Sequence, residues 1–354
     1  MKFVLFRNLK IYIISYLCNS LGAKKMDNSK ILQHITDLFN FQFSEKIIDI
    51  ELLPGAGSSR RYYRIHSELP YDVMACAGTN IEENKTFIYF SSRLHKAGIN
   101  VPEIFGNYKN EIYLTTDLGK TDVLHAKEGL SQQETIELYK RILQDLIQIQ
   151  IKGGKIIDFS KSFVRPEFDR TAMLWDLYYF KYYYLKINGL EFNEQKLEVD
   201  YNRLLDFLET ADRSYFMYRD FQARNIMLND GKLGYIDFQG GMKGPLQYDV
   251  VSLLYQAKTN LDAKIRETLL SFYISELKKH ITVDEPIFRK QFQALVFIRI
   301  LQTLGAYGFR GYIQHKEHFI QSIPLALQNV KQHTPIINAI VPMPYLSSLI
   351  EQLT

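Results

Sequence analysis

The chain has 354 residues, of which 46% are hydrophobic and 14% aromatic; that is ample for a sizeable core in two domains or one bilobed unit, and too apolar for disorder. Its formal net charge of +4, with basic and acidic residues interspersed, argues against a dedicated nucleic-acid binder. Cys18 and Cys76 are far apart and outside any CxxC spacing, so neither a disulfide framework nor a zinc site is expected, and a reducing, cytoplasmic setting fits.

The chain opens with Leu9 to Cys18, an apolar run behind Lys2, Arg7 and Lys10 that superficially suggests a signal peptide. The run is too short to span a bilayer, and Leu21-Gly22-Ala23 is a poor cleavage site. Met26 followed by Asp27-Asn28-Ser29 is a good helix start, so either Met26 is the natural start or the residues before it form a loosely attached extension (1–26) ahead of the first domain. Ile31 to Phe39 carries a helical stripe. Ile47 to Leu53 reads as a strand, Pro54 to Ser59 as a turn of small residues, and Tyr62 to Ile65 as a second strand. Strand, glycine turn, strand is how a phosphate-covering hairpin is built, because small residues let backbone N–H groups approach an anion. Gly55, Gly57, Ser58 and Ser59 are therefore candidate nucleotide contacts, although such a turn alone is equally an ordinary one. Arg60, Arg61 and Arg64 flank it, as phosphate partners or as solvated strand residues.

Asp72 to Ala77 is the next strand. A protein kinase places there the lysine that pairs with the phosphates and with a helix glutamate; this chain has Val73-Met74-Ala75-Cys76. Lys85, a loop arginine, or magnesium with backbone donors would have to substitute. Glu82 to Ala97 is a helix closed by Gly98. Glu82 and Glu83 at its start suit the helix dipole as well as they suit catalysis. Ile112 to Thr115 leads to Asp117-Leu118-Gly119, after which strand signals give way to helices. The lobe boundary is expected near 118, with Asp117 and Leu118 in a hinge that receives the adenine.

Ser131 to Glu134 is a capping box ahead of a long helix. Phe168 to Lys186 is a helix dense in aromatics, with Trp175, Tyr178, Tyr179 and Tyr182 on one side and Asp176 displaced from it; those rings read as core or lobe-packing residues, with a sugar-binding platform as the alternative. Then comes Tyr218 to Gly241. Ile226 to Leu228 and Leu233 to Ile236 flank Asn229-Asp230-Gly231, a strong hairpin signal. A hairpin brings its open ends together, so Asp220, Asn225 and Asp237 should converge. Asp-x4-Asn alone fits any polar turn; with the following Asp237-Phe238 it matches the kinase set in which one carboxylate accepts a hydroxyl proton while an amide and a second carboxylate hold Mg²⁺. Asp249 precedes an apolar helix as an N-cap or as a brace for the catalytic loop. Arg299, Gln302 and Arg310 are the polar residues of the largely apolar segment 298–311, an unusual place for two arginines, which read as snorkelling surface residues or as ligand contacts.

These residues resemble the aminoglycoside phosphotransferase family of small-molecule kinases. Within it the likeness is to the bacterial cell-wall-recycling kinases that phosphorylate the anomeric hydroxyl of N-acetylmuramate and N-acetylglucosamine. It covers roughly residues 45 to 335. It rests on Gly57-Ser58-Ser59-Arg60-Arg61-Tyr62-Tyr63-Arg64, Gly98-Ile99-Asn100-Val101-Pro102, Thr116-Asp117-Leu118-Gly119 and Leu174-Trp175-Asp176-Leu177. Tyr218-Arg219-Asp220 with Asn225, Ile236-Asp237-Phe238-Gln239-Gly240, and Gly244-Pro245 with Asp249 complete it. The resemblance implies an α+β, bilobed protein-kinase-like fold, with a small, mainly antiparallel N-lobe (27–118) and a larger helical C-lobe (119–354). It implies Asp220 as catalytic base, Asn225 and Asp237 as magnesium ligands, Arg219 and Asp249 as supports of the catalytic loop, and ATP with Mg²⁺ as cofactors. Asp176 and Arg299 are the candidate substrate contacts in the C-lobe. Two departures stand out: Tyr218 where most relatives have histidine, and the missing strand lysine, which the sugar kinases share. The alternatives are an aminoglycoside, choline or homoserine kinase, or a nucleotide-binding pseudokinase. A cytoplasmic monomer or weak dimer acting on a small molecule, with no nucleic-acid partner and no membrane span, is expected.

Overall fold

The structure is a computed structural model that describes residues 27–55 and 60–353. The N-terminal extension and four of the turn residues, Ala56, Gly57, Ser58 and Ser59, lie outside the described residues. The described chain divides into two compact units, one of residues 27–88 and 102–117, the other of 89–101 and 118–353.

The first unit is a five-stranded antiparallel sheet: β1 (Ile47–Leu52), β2 (Arg61–Ser67), β3 (Val73–Ala77), β4 (Ile104–Tyr108) and β5 (Ile112–Thr116), in the order β1-β2-β3-β5-β4. Ahead of it runs α1 (Asn28–Gln42), capped by Asp27, whose side chain accepts the Ser29 N–H. Its stripe of Ile31, Ile35 and Phe39 buries against Tyr63, Ile65, Val73, Ala75, Ile112 and Leu114 of the sheet. One face of the sheet is thereby closed by apolar contact. After β3 comes α2 (Ile81–Lys96), whose residues up to Ile88 belong to this unit. Asn84 of α2, fully buried, donates to the carbonyls of Gly78 (2.9 Å) and Asn110 (2.6 Å) and so fixes the helix start to the ends of β3 and β5.

In the second unit the sequence capping box is realised: Ser131 and Glu134 satisfy each other's backbone N–H at the start of α3 (Gln132–Ile156). Next come α4 (Arg170–Phe180), which runs on into a π-helical turn (Lys181–Leu185), and α5 (Glu194–Leu208). Four short strands follow: β6 (Tyr215–Met217), β7 (Ile226–Asn229), β8 (Lys232–Tyr235) and β9 (Met242–Gly244), paired as β6–β9 and β7–β8. The chain ends in helices α6 (Leu246–Leu254), α7 (Ala263–Leu277), α8 (Glu285–Gly308), α9 (Ile323–Asn338) and α10 (Pro344–Gln352).

The centre of this unit is α8, which packs against α4, α6 and α9. The stretch Glu285–Ile313 is long and apolar enough to cross a membrane, yet 61% of its most apolar window is buried inside the protein, as befits a core helix. Two glycines set how close α4 comes: a Cβ at Gly305 would lie 2.6 Å from the Phe180 nitrogen, and one at Gly308 would lie 1.9 Å from the Tyr183 carbonyl oxygen. This backbone-to-backbone approach brings Asp176 of α4 and Arg299 of α8 to one region. The aromatic helix differs from its sequence reading. Its buried face is Ala172, Met173, Asp176, Leu177 and Phe180, whereas Trp175, Tyr178 and Tyr179 are half-exposed. Arg165 stacks on Trp175, 4.5 Å from the ring centroid, and Lys181 lies over Tyr178 and Tyr182, so cations cover the rings that core packing was expected to cover.

Candidate active site

The hairpin forms as its turn residues dictate. Asp230 (φ 49°) and Gly231 (φ 75°) carry the positive dihedrals of a two-residue turn, and Asn229 pairs with Lys232 across it. At the open end the Ile236 N–H donates to the Asn225 carbonyl at 3.0 Å, which holds the two exits of the hairpin side by side. Asn225, almost fully buried, donates through its amide nitrogen to the Asp220 carbonyl (2.9 Å) and to Asp237 Oδ2 (3.3 Å). The three residues therefore meet in one small volume. Asn100, from the Gly98–Pro102 segment, fastens the hairpin from outside: it donates to the Leu233 carbonyl at 2.7 Å and accepts the Tyr235 N–H at 2.9 Å.

The loop bearing Asp220 is held in an uncommon conformation. Arg219 has φ 74° and Asp237 φ 69°, left-handed backbone at residues with a Cβ. Such strain persists only where the surroundings over-determine it. Here they do. Asp249 accepts the backbone N–H groups of Tyr218 (2.8 Å) and Arg219 (2.9 Å), Ser252 donates to the Arg219 carbonyl (3.2 Å), and the Tyr218 hydroxyl bonds the Ile236 carbonyl. Asp249 sits in the first turn of α6 rather than at its N-cap, which is Pro245; its carboxylate reaches back to the loop and does not cap its own helix. Burial pushes the Asp249 carboxyl up to about 7, against the Tyr218 and Arg219 N–H groups and Gln150, which favour the charged form. Gln150 donates to Asp249 Oδ2 (3.3 Å) and to the Leu246 carbonyl (2.9 Å).

Asp220 belongs to a cluster of two carboxylates, its own and that of Asp176, and two guanidinium groups, those of Arg299 and Arg219. Arg299 Nη2 is 3.5 Å from Asp220 Oδ1, while its Nη1 donates to the Tyr248 hydroxyl at 3.0 Å. Arg219 Nη2 donates to Asp176 Oδ1 at 3.3 Å. Asp176 Oδ2 is buried and has no hydrogen-bond partner among the described residues. Burial holds this carboxyl above the usual carboxylate range, with Arg219 and then Arg299 opposing. Asp220 itself keeps 44% of its side chain exposed.

The other sequence candidates are placed as follows. Asp117 is buried in an ion pair with Arg64, which also stands 4.0 Å from Asp72 and from Glu51. Leu118 packs beneath the hairpin, 2.9 Å from where a Cβ on Gly234 would be. Gly55 is exposed, with open space around it. Arg310 lies over Phe319, 5.1 Å from the ring centroid. Tyr248, Gln150 and Ser252 escaped the sequence reading. Gln150 had left a trace, a polar residue within the apolar run of its helix.

The pattern that describes the phosphotransferase enzyme family matches residues 49–280. The chain belongs to that family. Among curated proteins this phosphotransferase is 24% identical over 301 residues to an N-acetylmuramate/N-acetylglucosamine kinase of Neisseria meningitidis serogroup B, with 82% of this chain and 87% of the relative covered. It is 29% identical over 233 residues to the protein of the same name from Pseudomonas aeruginosa, covering 63% and 65%. Of solved structures, a choline kinase from Cryptosporidium parvum superposes with a TM-score of 0.62 at 12% identity, over 91% of this chain and all of the other. An ADP-bound aminoglycoside phosphotransferase superposes with a TM-score of 0.57 at 15% identity, over 86% and 98%. The fold is thus the α+β kinase-like fold, and the protein is a nucleotide-using, small-molecule kinase.

Proposed function

We propose that this kinase transfers the γ-phosphate of ATP to a sugar hydroxyl, namely the anomeric hydroxyl of N-acetylmuramate or N-acetylglucosamine. The observation that carries the reading is the half-exposed Asp220, whose backbone carbonyl is held by the same Asn225 amide that reaches Asp237 and whose carboxylate faces Arg299, beside the Arg219–Asp176 pair. Asp220 accepts the proton of the attacking hydroxyl, Arg219 and Asp249 hold its loop, and Asp176 and Arg299 orient the acceptor. The buried, unsatisfied Asp176 Oδ2 suits a sugar hydroxyl donor. Both relatives named above support this acceptor class.

The donors suit Mg²⁺. Asn225 engages its neighbours through its amide nitrogen, which leaves its carbonyl oxygen beside the Asp237 carboxylate as hard oxygen ligands. Among the described residues no cluster of three or more His, Cys, Asp or Glu could hold a metal unaided, which fits an ion that completes its shell with water and substrate phosphate. Asn225 and Asp237 would hold it, and its charge would offset that of the phosphates. We assign the Gly55–Ser59 turn to the phosphates and the 114–118 segment to the adenine, as the family resemblance implies. The setting is the cytoplasm, with sugars recovered from cell wall as acceptors.

Phosphorylation of a panel of N-acetylated amino sugars, aminoglycosides, choline and homoserine tests the reading, with the product position assigned by phosphorus-coupled NMR. An anomeric phosphate on an N-acetyl sugar is the expected product. Turnover confined to choline, homoserine or an aminoglycoside would overturn it.

A further inference from the structure

Resting on the kinase reading, the geometry points to Arg60 as the phosphate-binding cation of the first unit: it takes over from β2 the role that kinase-like enzymes give to a lysine on β3, and Glu83 of α2 is its anchor.

The position on β3 facing this region is occupied by Cys76, fully buried and opposite Tyr62 in the strand register. Burial pushes its thiol up to about 11, so β3 brings no charge here. Arg60 directly precedes β2 and follows the small-residue turn. Its side chain is 3% exposed, and its Nη2 lies 2.9 Å from Glu83 Oε1. That pair joins a strand cation to the glutamate at the start of α2, with the cation moved one strand over.

The sequence has made room for this route. A Cβ on Gly78, the residue after β3, would come 2.9 Å from Arg60 Cγ and 2.9 Å from Asn84 Oδ1. Arg60 therefore reaches Glu83 by crossing over a glycine, while Asn84, adjacent to Glu83, fixes the helix start on the Gly78 carbonyl. Burial works to lower the Arg60 guanidinium pKa, but Tyr62, Tyr113 and Glu83 around it outweigh that and keep it charged.

The rival cations are committed elsewhere. Arg64 is paired with Asp117 and faces Asp72 and Glu51 as well. Arg61 reaches the other way, to Asn28 of α1 at 3.3 Å. Lys85 is exposed and bridges to Glu82 within its own helix. Arg60 alone of these combines burial with an acidic anchor on α2, and in sequence it directly follows the turn assigned to phosphate. A guanidinium also offers a second edge when one edge is held by a carboxylate, which a lysine does not.

The test uses the full-length protein and compares ADP with adenosine, each by calorimetric titration with Mg²⁺ present and no sugar. Arg60→Met is expected to weaken ADP binding roughly tenfold to hundredfold, the range for one charge-assisted hydrogen bond, and to leave adenosine binding within about twofold, an estimate for a group that touches only phosphate. Arg60→Lys should retain most of the ADP affinity. Should Arg60→Met fail to fold, Glu83→Gln carries the same comparison and the same selective loss is expected. Equal weakening of ADP and adenosine would reduce the pair to a structural brace and overturn the inference, as would unchanged ADP affinity. In those two outcomes sugar phosphorylation by the wild type persists, so the proposed function stands. A wild type that binds no nucleotide would bring down both.

Discussion

Replacing Asp249 by asparagine should separate stability from activity in a pH-dependent way. The carboxyl is fully buried and rises from an ordinary 3.8 to about 7 in the folded protein. A folded pKa above the unfolded one means that the contribution to stability is present at low pH and is lost as pH rises through about 7. Between pH 6 and pH 8 the native state gives up most of one proton that the unfolded state has already lost. Integrated, that is about 1.4 kcal/mol of stability, or about 2–3 °C in melting temperature for a chain of this size. Asparagine keeps the shape and does not titrate. The difference in melting temperature, wild type minus Asp249→Asn, should therefore shrink by that amount from pH 6 to pH 8. Activity should move the other way. An amide presents an NH₂ to one of the two N–H groups that Asp249 now satisfies, loosening the strained Arg219 backbone at a cost of about 1–3 kcal/mol, roughly tenfold to hundredfold in kcat. Thermal melts in a pH series, with kcat at pH 8, check both parts. A difference that stays flat with pH would refute the assignment of a buried, titrating brace.

Asp220→Asn should lower kcat by roughly 10²–10⁴-fold, the range for a positioned acid–base group, with ADP affinity unchanged; near-full turnover would remove its role as base. Arg299→Met should raise KM for N-acetylmuramate by roughly tenfold or more, as for a lost charged hydrogen bond. N-acetylglucosamine, which lacks the lactyl carboxylate, should suffer less, and equal effects on the two sugars would show that Arg299 acts only on Asp220. Gly308→Ala must push α8 away from the Tyr183 carbonyl, 1.9 Å from the new Cβ, at a cost of about 1–3 kcal/mol. An unchanged melting temperature would mean that the contact relaxes without strain.

What could be read from the sequence was whatever local chemistry determines. Asn229-Asp230-Gly231 demands a turn with positive φ, so the hairpin, and with it the meeting of Asp220, Asn225 and Asp237, followed from a few adjacent residues. Ser131 and Glu134 declared a helix start in the same way. The face that α4 buries could not be read like that. Its apolar residues run nearly all round, so periodicity picks no side, and tyrosines can lie at a boundary with their hydroxyls in water. The buried side proved to be the one with Asp176, because Gly305 and Gly308 of α8, more than 100 residues later, let the helix backbones meet there. The Arg60–Glu83 pair was hidden for a similar reason. Its two residues are distant in sequence, and only the β2–β3 register with the glycine at 78 shows that one can reach the other.

The charge pattern around Asp220 bears on which acceptors this kinase suits. Asp176 and Asp220 are matched by Arg219 and Arg299, so the cluster is neutral before Asp237 is counted, and its cations are the side chains that face the two carboxylates. A polycationic acceptor would set its ammonium groups beside two guanidinium groups while competing with them for the same two carboxylates, a repulsion that a few ångströms of partly buried space would not screen. A neutral sugar avoids that conflict, and one bearing a carboxylate could take Arg299 from Asp220. Since Arg299 holds Asp220 at only 3.5 Å while keeping a 3.0 Å bond to Tyr248, the guanidinium can turn toward an arriving anion without losing its anchor. On the proposed reading Asp220 is then freed as the acceptor binds, which is why the test with two sugars, one with a carboxylate and one without, discriminates more sharply than a loss of activity alone.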